Sequence, residues 1–353
     1  MSATKAVSLA LQGGGAHGAF TWGVLDRLLD EDRLEIEAVS ATSAGAMNAA
    51  ALKTGLVAGG SRAAAQAQLA AFWGSISRIG RLAGAPNPLL EWVRLWDPST
   101  ENLARAIEAG AALSAAGRVA TILSPYDANP FNINPLRHLL EEVLDFDAVC
   151  RICTPHLFVG ATSVRTGKPK VFADDQISVD AILASTCLPS LFQAVEIDDP
   201  ATGRREAYWD GGYTGNPPLW PLFDGARSPD VVVVHINPLE RVETPRSSRE
   251  IMNRINEISF NAALLRELRA IDFVHRLIED GHLPAGAMKD VLVHSIRDDE
   301  TMLKLGAATK MTADWQLLCQ LRDAGRAAAD GFLRAHWGDL GERSSFDLRA
   351  MFA

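Results

Sequence analysis

The first 57 residues switch repeatedly between two hydrophobic periods, and the order of these periods predicts a βαβα unit. Residues 6–11 and 36–40 are short apolar runs of strand length, whereas residues 19–29 and the alanine-rich residues 46–54 carry the pattern of helices. Units of this kind build parallel sheets through right-handed crossovers. We therefore expect an α/β protein with a mostly parallel sheet.

The same two periods predict further elements along the rest of the chain. Additional strands are expected at residues 156–162, 171–172, 195–197, 206–209, 230–237 and 291–296. Additional helices are expected at residues 135–144, 179–187, 250–280 and 311–336. The four consecutive valines at 231–234 are typical of a strand buried in a parallel sheet. Together these elements predict a single three-layer α/β/α domain over residues 1–353, with a mainly helical region over residues 241–353.

The long helix expected at residues 250–280 has an apolar stripe that predicts its buried face. This stripe consists of Ile251, Ile255, Ile258, Ala262, Leu265, Val274 and Leu277. These residues recur at helical spacing. The opposite face is expected to be solvated because it carries charged residues, namely Arg254, Glu257, Arg266 and Glu267.

Residues 58–134 lose the regular alternation and form a predicted helical insertion that is rich in turn residues. Gly59-Gly60 opens an alanine-rich helix, and three tryptophans follow among other large apolar residues: Trp73, Trp92 and Trp96. We favour a helical subdomain whose tryptophans belong to the core. The alternative is a lid or a lipid-contact surface.

Charge and cysteine content restrict the partners and the compartment. The 353-residue chain has 48% hydrophobic residues, enough for a large core, and its net charge of −9 argues against nucleic acid, which selects basic surfaces. The chain opens with no signal-peptide pattern, and no apolar stretch reaches the ~18 residues of a spanning helix. Cys150 and Cys153 lack the second pair of a zinc site and are interpreted as two half-buried thiols. We therefore expect a cytoplasmic protein, with peripheral membrane contact as an alternative.

Residues 41–45, Ala-Thr-Ser-Ala-Gly, stand where a predicted strand turns into a predicted helix. A serine on so sharp a corner projects its hydroxyl above the sheet, and small residues two before and two after it let strand and helix pack closely. Ala41 and Gly45 are those small residues, although the usual pattern has glycine at both positions. Ser43 is therefore a candidate nucleophile.

A glycine-rich stretch, residues 13–18 (Gly-Gly-Gly-Ala-His-Gly), links the first predicted strand to the first predicted helix. Glycines before a helix start let backbone N–H groups crowd around an anion. Acyl transfer needs such donors for its oxyanion, and the candidate donors are Gly13, Gly14 and Gly15. The stretch also fits the dinucleotide fingerprint, which requires an acidic residue at the end of the second strand. Glu35 and Glu37 stand before or at the start of that strand, so the oxyanion interpretation is favoured.

Asp210-Gly211-Gly212 supplies a carboxylate on a second glycine-flanked turn. A desolvated aspartate within hydrogen-bond reach can take the serine proton directly, because desolvation raises its pKa. The rival base is His235, which would give the Ser–acid–His order of α/β-hydrolases. Those enzymes place the serine corner after several strands, whereas here it follows only two. We therefore interpret His235 as a strand-end histidine, and His275 and His294 are weaker candidates still.

These motifs, in this order, resemble those of the patatin-like phospholipase family over most of residues 6–240. The resemblance also includes Gly160-Ala161-Thr162, residues 181–185 leading to Pro189, and Asn216-Pro217. It implies a Ser–Asp dyad without histidine, in which Ser43 is the nucleophile and Asp210 the base. It further implies a lipid acyl hydrolase of the phospholipase A or esterase type, which works through an acyl-enzyme and needs no metal, nucleotide or other cofactor.

The chain departs from the family pattern at His17, where arginine is usual. A fixed positive charge beside the glycine loop is therefore in question, and with it any preference for phospholipid over neutral ester. Two other functions fit the same fold. One is acyl transfer to another lipid, which differs from hydrolysis only in the acceptor, and the other is lipid binding without catalysis.

Overall fold

The computed structural model describes residues 4–83, 87–113, 124–284 and 286–352, and an eight-stranded mixed sheet lies at its centre. The strands are β1 (Lys5–Leu11), β2 (Leu34–Thr42), β3 (His156–Ser163), β4 (Pro169–Ala173), β5 (Val195–Asp199), β6 (Arg204–Asp210), β7 (Asp230–Val234) and β8 (Leu292–Ile296). Their order is β5-β6-β3-β2-β1-β7-β8, and β4 pairs with β3. Five adjacent strands of the sheet are parallel to one another, namely β3, β2, β1, β7 and β8. This mostly parallel arrangement confirms the predicted class.

Helices cover both faces of this sheet. The first group is α1 (Gly18–Leu28), α2 (Ala44–Val57), α3 (Arg62–Ala83), α4 (Pro88–Trp96), α5 (Thr100–Leu113), α6 (Pro125–Ala128), α7 (Pro135–Val143) and α8 (Phe146–Val149). The second is α9 (Val179–Ser185), α10 (Pro221–Gly225), α11 (Ser248–Glu279), α12 (Asp299–Met302), α13 (Ala307–Met311), α14 (Trp315–His336) and α15 (Leu348–Phe352). Among the residues described, none of these helices is both long and apolar enough to cross a bilayer.

The four valines of β7 show how the two faces are filled. Val232 and Val234 belong to the larger buried cluster, together with residues of α1, α2 and α14. Val231 and Val233 belong to a second cluster with residues of α10 and α11. Successive side chains of a strand point to opposite faces, so a strand with a helix layer on each side has to be apolar throughout.

The helix predicted at residues 311–336 begins four residues later, at Trp315, because Met311 ends the short helix α13 and the chain breaks between α13 and α14. Asp314 begins α14, and its side chain accepts a hydrogen bond from the Leu317 N–H at 2.9 Å. The α14 helix then packs against α1 so closely that two glycines are needed where their backbones touch. A Cβ added to Gly23 of α1 would lie 1.8 Å from the Arg322 carbonyl oxygen, and one added to Gly325 would lie 2.0 Å from that of Phe20.

The prediction for the buried face of α11 is wrong over its N-terminal half. Ile251, Ile255 and Ile258 are 41%, 49% and 54% exposed, whereas Glu257 is buried. Glu257 accepts hydrogen bonds from the Arg241 guanidinium at 2.6 and 2.8 Å, which satisfies its charge in the interior. The buried stripe is Glu257, Asn261, Leu264, Leu268 and Ile271. It starts with polar residues whose partners lie on other segments, so hydrophobic spacing within the helix does not reveal it.

The described part of residues 58–134 is largely helical, whereas residues 84–86 and 114–123 lie outside the described residues. Trp73 is fully buried, stacks on Trp22 with ring centroids 6.5 Å apart, and donates a hydrogen bond to the Asn48 side chain at 2.9 Å. Trp92 and Trp96, in contrast, are 60% and 74% exposed. The core interpretation is therefore right for Trp73 and wrong for the other two.

Candidate active site

Ser43 occupies a strained corner between β2 and α2. Its φ of 54° is rare for a residue with a side chain, and its ψ is −123°. The corner is tight because α2 packs directly on the end of β1. A Cβ added to Gly45 would lie 2.3 Å from the Leu11 carbonyl oxygen, so only glycine fits there. Ala41, two residues before Ser43 on β2, is fully buried.

Ser185, the last residue of α9, holds the corner in place, a contact that was not predicted from the sequence. Its hydroxyl accepts a hydrogen bond from the Ser43 N–H at 2.9 Å and donates one to the Gly160 carbonyl oxygen at 2.6 Å. The backbone of Ser43 is thereby tied to β3. The signal available in the sequence was the position of Ser185 at the end of the 181–185 run.

The pairing of β3 brings Asp210 next to the serine corner. Gly160 of β3 pairs with Thr42 on one edge and with β4 on the other. The next residue, Ala161, pairs with β4 and with Asp210. The strands β2 and β6 therefore meet end to end along one edge of β3. Because β6 is antiparallel to β3, Asp210 ends its strand at the point where Thr42 passes into Ser43.

The Asp210 carboxyl is almost completely buried. Its Oδ1 accepts a hydrogen bond from the Gly212 N–H at 2.8 Å. In the described part of the chain nothing donates a hydrogen bond to Oδ2, although the Ser43 hydroxyl is close enough to influence the group. Burial raises the pKa of Asp210 to about 7, and the interactions with Gly212 and Ser43 lower it by less. The carboxylate thus has a free oxygen and the proton affinity of a base that works near neutral pH.

The three glycines of the loop differ in what they can donate. The Gly13 N–H donates to Asn216 Oδ1 at 2.6 Å, so the predicted role of Gly13 as an oxyanion donor needs correction. A Cβ at Gly13 would lie 2.6 Å from the Ser43 Cβ, so this glycine permits close approach instead. Gly14 and Gly15 line the cavity that Ser43 faces, and no described residue accepts a hydrogen bond from either N–H. These two remain the candidate donors.

A cavity of about 480 Å³ opens over Ser43 and Asp210. Most of its wall is apolar, and this part includes Met47, Trp73, Ile76, Leu136, Leu191 and Phe260. Two of the described lining residues carry a charge, Asp210 and Lys310. A concave, mostly apolar site with a few convergent polar groups is suited to an acyl chain attached to a polar ester.

His17 does not supply the positive charge that was in question. Burial, and after it the charges of Lys310 and Arg241, lowers the pKa of His17 well below its ordinary value, so the imidazole is neutral. Its Nε2 lies 2.8 Å from the Thr309 hydroxyl, which itself donates to the Gly306 carbonyl oxygen. The imidazole is therefore the donor in this contact.

The other histidines lie away from the serine corner. His235 directly follows β7, with its ring 6.4 Å from that of Phe346, and burial lowers its pKa to about 4. His294 bonds to Asp230 and His275 to Asp290. Within the described ranges no histidine hydrogen-bonds to Ser43 or Asp210.

The four cysteines are free, and the acidic residues in the described ranges form no metal site. Cys150 and Cys153 are free and partly buried, which confirms their interpretation as half-buried thiols. Among the residues that the structure describes, no group of three or more His, Cys, Asp and Glu side chains is placed to hold a metal ion.

Comparison with known proteins gives one family and several structures. A family model described as patatin-like phospholipase matches residues 9–223. VipD from Legionella pneumophila is similar at 14% identity and a TM-score of 0.33, over 90% of this chain and 68% of that one. ExoU in its heterodimeric complex with SpcU, from the type III secretion system of Pseudomonas aeruginosa, is similar at 17% identity and a TM-score of 0.29, over 96% of this chain and 61% of that one. A second structure of ExoU is similar at 16% identity and a TM-score of 0.27, over 91% of this chain and 54% of that one. The chain thus spans less than two thirds of ExoU, and no curated protein matches it.

Proposed function

This chain belongs to the patatin-like phospholipase family, and we propose that it hydrolyses fatty-acyl esters of lipids through an acyl-enzyme on Ser43. Family membership supports lipid hydrolysis in general. The observation that carries the specific proposal is the register of β3, which aligns the end of β2 with the end of β6. A strained serine and a buried carboxyl with a free oxygen thereby share one apolar cavity.

In this mechanism Asp210 acts as the base and Ser43 as the nucleophile. The Ser43 oxygen attacks the ester carbonyl carbon while its proton passes to Asp210 Oδ2. The N–H groups of Gly14 and Gly15 stabilise the oxyanion. Collapse of this intermediate breaks the ester bond, and the leaving alcohol takes the proton from Asp210. A water molecule, deprotonated by the same carboxylate, then attacks the acyl-enzyme. The bond between the acyl group and the Ser43 oxygen breaks, this oxygen takes the proton back from Asp210, and the fatty acid is released.

A dyad fits this site better than a triad. A triad needs an imidazole bonded to the serine and oriented by the acid. His235, the rival base, is not among the residues that line the described cavity and has its pKa lowered by burial. The carboxyl of Asp210 already has the raised pKa that a general base requires, so no intermediary is needed.

The proposal includes peripheral contact with a lipid surface at the cavity mouth. Met311 lines the cavity and is 57% exposed. Ile255 and Ile258 are exposed on the stretch of α11 that reaches the cavity through Phe260. Apolar side chains that continue from the cavity onto the surface would bury their area in a lipid layer, without electrostatic attraction from this acidic chain.

We also propose that residues 1–353 form one α/β domain, in which residues 58–134 are a helical insertion and residues 241–353 are an integral part. Two observations support the inclusion of residues 241–353 in this domain. The strand β8 extends the sheet beside β7, and α14 crosses α1 at Gly23 and Gly325. Limited proteolysis that released a folded fragment ending near residue 240 would contradict it.

The test of the proposed function is labelling by a fluorophosphonate probe together with ester hydrolysis by Ser43→Ala. We expect the wild type to be labelled and to hydrolyse lysophospholipid, and the variant to lose both while keeping its melting temperature. Ser190→Ala is the matched control because Ser190 lines the same cavity. Hydrolysis retained by Ser43→Ala, with labelling of another serine, would contradict the assignment.

A further inference from the structure

Lys310 brings a positive charge to the cavity from outside the family-matched region. It lies on α13, whereas the match ends at residue 223. Its backbone packs against the glycine loop so closely that a Cβ added to Gly15 would lie 2.2 Å from the Lys310 carbonyl oxygen. Gly15 has a φ of 58° and so also needs to be glycine for its own conformation. Lys310 is therefore built against the oxyanion side of the site.

The ammonium group of Lys310 has no ion-pair partner among the described residues. It donates to the neutral amide oxygen of Asn237 at 2.9 Å, and no described carboxylate lies within 4 Å of it. The carboxylate that influences it most, Glu257, is bound by Arg241 and Arg254. Three positive side chains are therefore grouped with one negative side chain, Glu257, which pairs with the two arginines. The ammonium group of Lys310 stays unpaired among the described residues, and Lys310 lines the cavity.

Burial makes this charge costly in the free enzyme. Desolvation lowers the pKa of Lys310 to about 8, so the side chain is still mostly protonated at pH 7. A buried charge is stabilised when an opposite charge joins it. A ligand with an anionic group near its ester would supply the missing partner and leave the acyl chain on the apolar wall.

We propose that Lys310 binds the phosphate of an acyl phospholipid substrate and determines the preference of this enzyme for anionic over neutral acyl esters. The inference rests on the proposed function and deepens it. It also assigns to α13 the positive charge that His17, neutral and bonded to Thr309, does not provide.

The alternative is a positioning role for Lys310 through Asn237. The Asn237 side chain donates to the Gly13 carbonyl oxygen at 2.8 Å, so loss of the lysine could shift the glycine loop. The two roles predict different results. A shifted loop harms every ester equally, whereas a lost phosphate contact harms only phosphate-bearing esters.

The activity test compares 1-palmitoylglycerol 3-phosphate with 1-palmitoylglycerol, which share the acyl chain and the ester. We expect Lys310→Met to lower kcat/KM about 10- to 100-fold for the phosphate ester, the size of one charge-assisted hydrogen bond. For the neutral ester we expect a change of less than about threefold, and Lys310→Arg should restore most of the loss. Lys304→Met is the control because Lys304 is exposed on the same segment and pairs with Glu300. Equal losses on both substrates, or none on the phosphate ester, would overturn the proposal.

A binding test separates this inference from the proposed function. Calorimetry on Ser43→Ala should show hexadecyl phosphate binding about 10-fold or more tighter than 1-palmitoylglycerol, and the added Lys310→Met change should abolish the difference. Palmitate distinguishes a headgroup phosphate from a product carboxylate. Palmitate binding as tightly as hexadecyl phosphate, with the same dependence on Lys310, would overturn the headgroup assignment. If wild-type protein hydrolyses no ester but the Lys310-dependent preference persists, the proposed function fails while the anion site stands.

Discussion

Burial of Asp210 should make the protein less stable as the pH rises, and Asp210→Asn should remove this effect. The folded protein holds the Asp210 proton up to a pKa of about 7, whereas the unfolded chain releases it near the ordinary value of 3.8. The stability that this group contributes is therefore fully present below about pH 4. It is progressively lost as the pH rises through 7.

The size of the effect follows from the two pKa values. At pH 5 the Asp210 carboxyl is protonated in the folded protein and mostly ionised in the unfolded chain, whereas at pH 8 it is ionised in both. The free energy of unfolding therefore falls by about 2–3 kcal/mol between these two pH values. An asparagine has nearly the same shape and does not titrate. The free energy of unfolding of Asp210→Asn, relative to that of the wild type, should therefore increase by about 2–3 kcal/mol over this interval.

The assay is urea unfolding of both proteins at pH 5 and pH 8, with hydrolysis measured on the same samples. We expect Asp210→Asn to be inactive at both pH values. Its stability relative to the wild type should be higher at pH 8 than at pH 5. Asp199→Asn is the matched control. Asp199 is also buried, but it accepts hydrogen bonds from Lys170 and Tyr208, and these lower its pKa. This control should be less stable than the wild type by about the same amount at pH 5 and at pH 8, because a carboxyl with a lowered pKa is deprotonated at both. A stability gap for Asp210→Asn that does not change with pH would refute the reasoning.

Four further predictions concern the chemistry and the surface. On a neutral ester the kcat/KM of the wild type should rise with pH and level off above about 7, because Asp210 acts only when deprotonated; a kcat/KM that does not rise between pH 5 and pH 7 would point to another base. His235→Ala should cost about tenfold or less in kcat, and a loss as large as that of Ser43→Ala, in a folded variant, would indicate a triad. Gly14→Val should lower kcat by about 10²–10³ with little change in KM, and an equal change in both would point to loss of ground-state binding. Phosphatidylcholine vesicles should shift tryptophan emission to the blue, and the shift should vanish when exposed Trp92 and Trp96 are replaced by tyrosine; a shift that persists would assign it to other tryptophans.

The parts of the site that were predictable from the sequence are those specified by neighbouring residues. The position of Ser43 follows from a strand, a corner of small residues and a helix within about twenty residues of chain. The glycine loop follows in the same way from the junction of β1 and α1. Apart from the strained Ser43 itself, the local residues in both places favour the same structure, so pattern and fold agree. The four valines of β7 are a third example, because a strand segment with helices on both faces favours apolar side chains on each face.

Other features depend on partners that are distant along the chain, and only the tertiary structure decided them. The N-terminal half of α11 buries Glu257 and exposes isoleucines because Arg241, on another segment, supplies the opposite charge. The Gly13 N–H is occupied because it donates to Asn216, which lies 203 residues further along the chain. Hydrophobic spacing within one element carries no information about a charge or an amide contributed by another.

The sequence by itself thus determined the α/β class, the serine corner and the glycine loop, since these depend on local periodicity and small residues. Tertiary structure decided that Asp210 meets Ser43, because this depends on two strands sharing one edge of β3. It likewise decided that Lys310 faces the same cavity from about 270 residues further along the chain than Ser43. The physical reason is that burial and desolvation, which raise the pKa of Asp210 and lower that of Lys310, are properties of the packed whole.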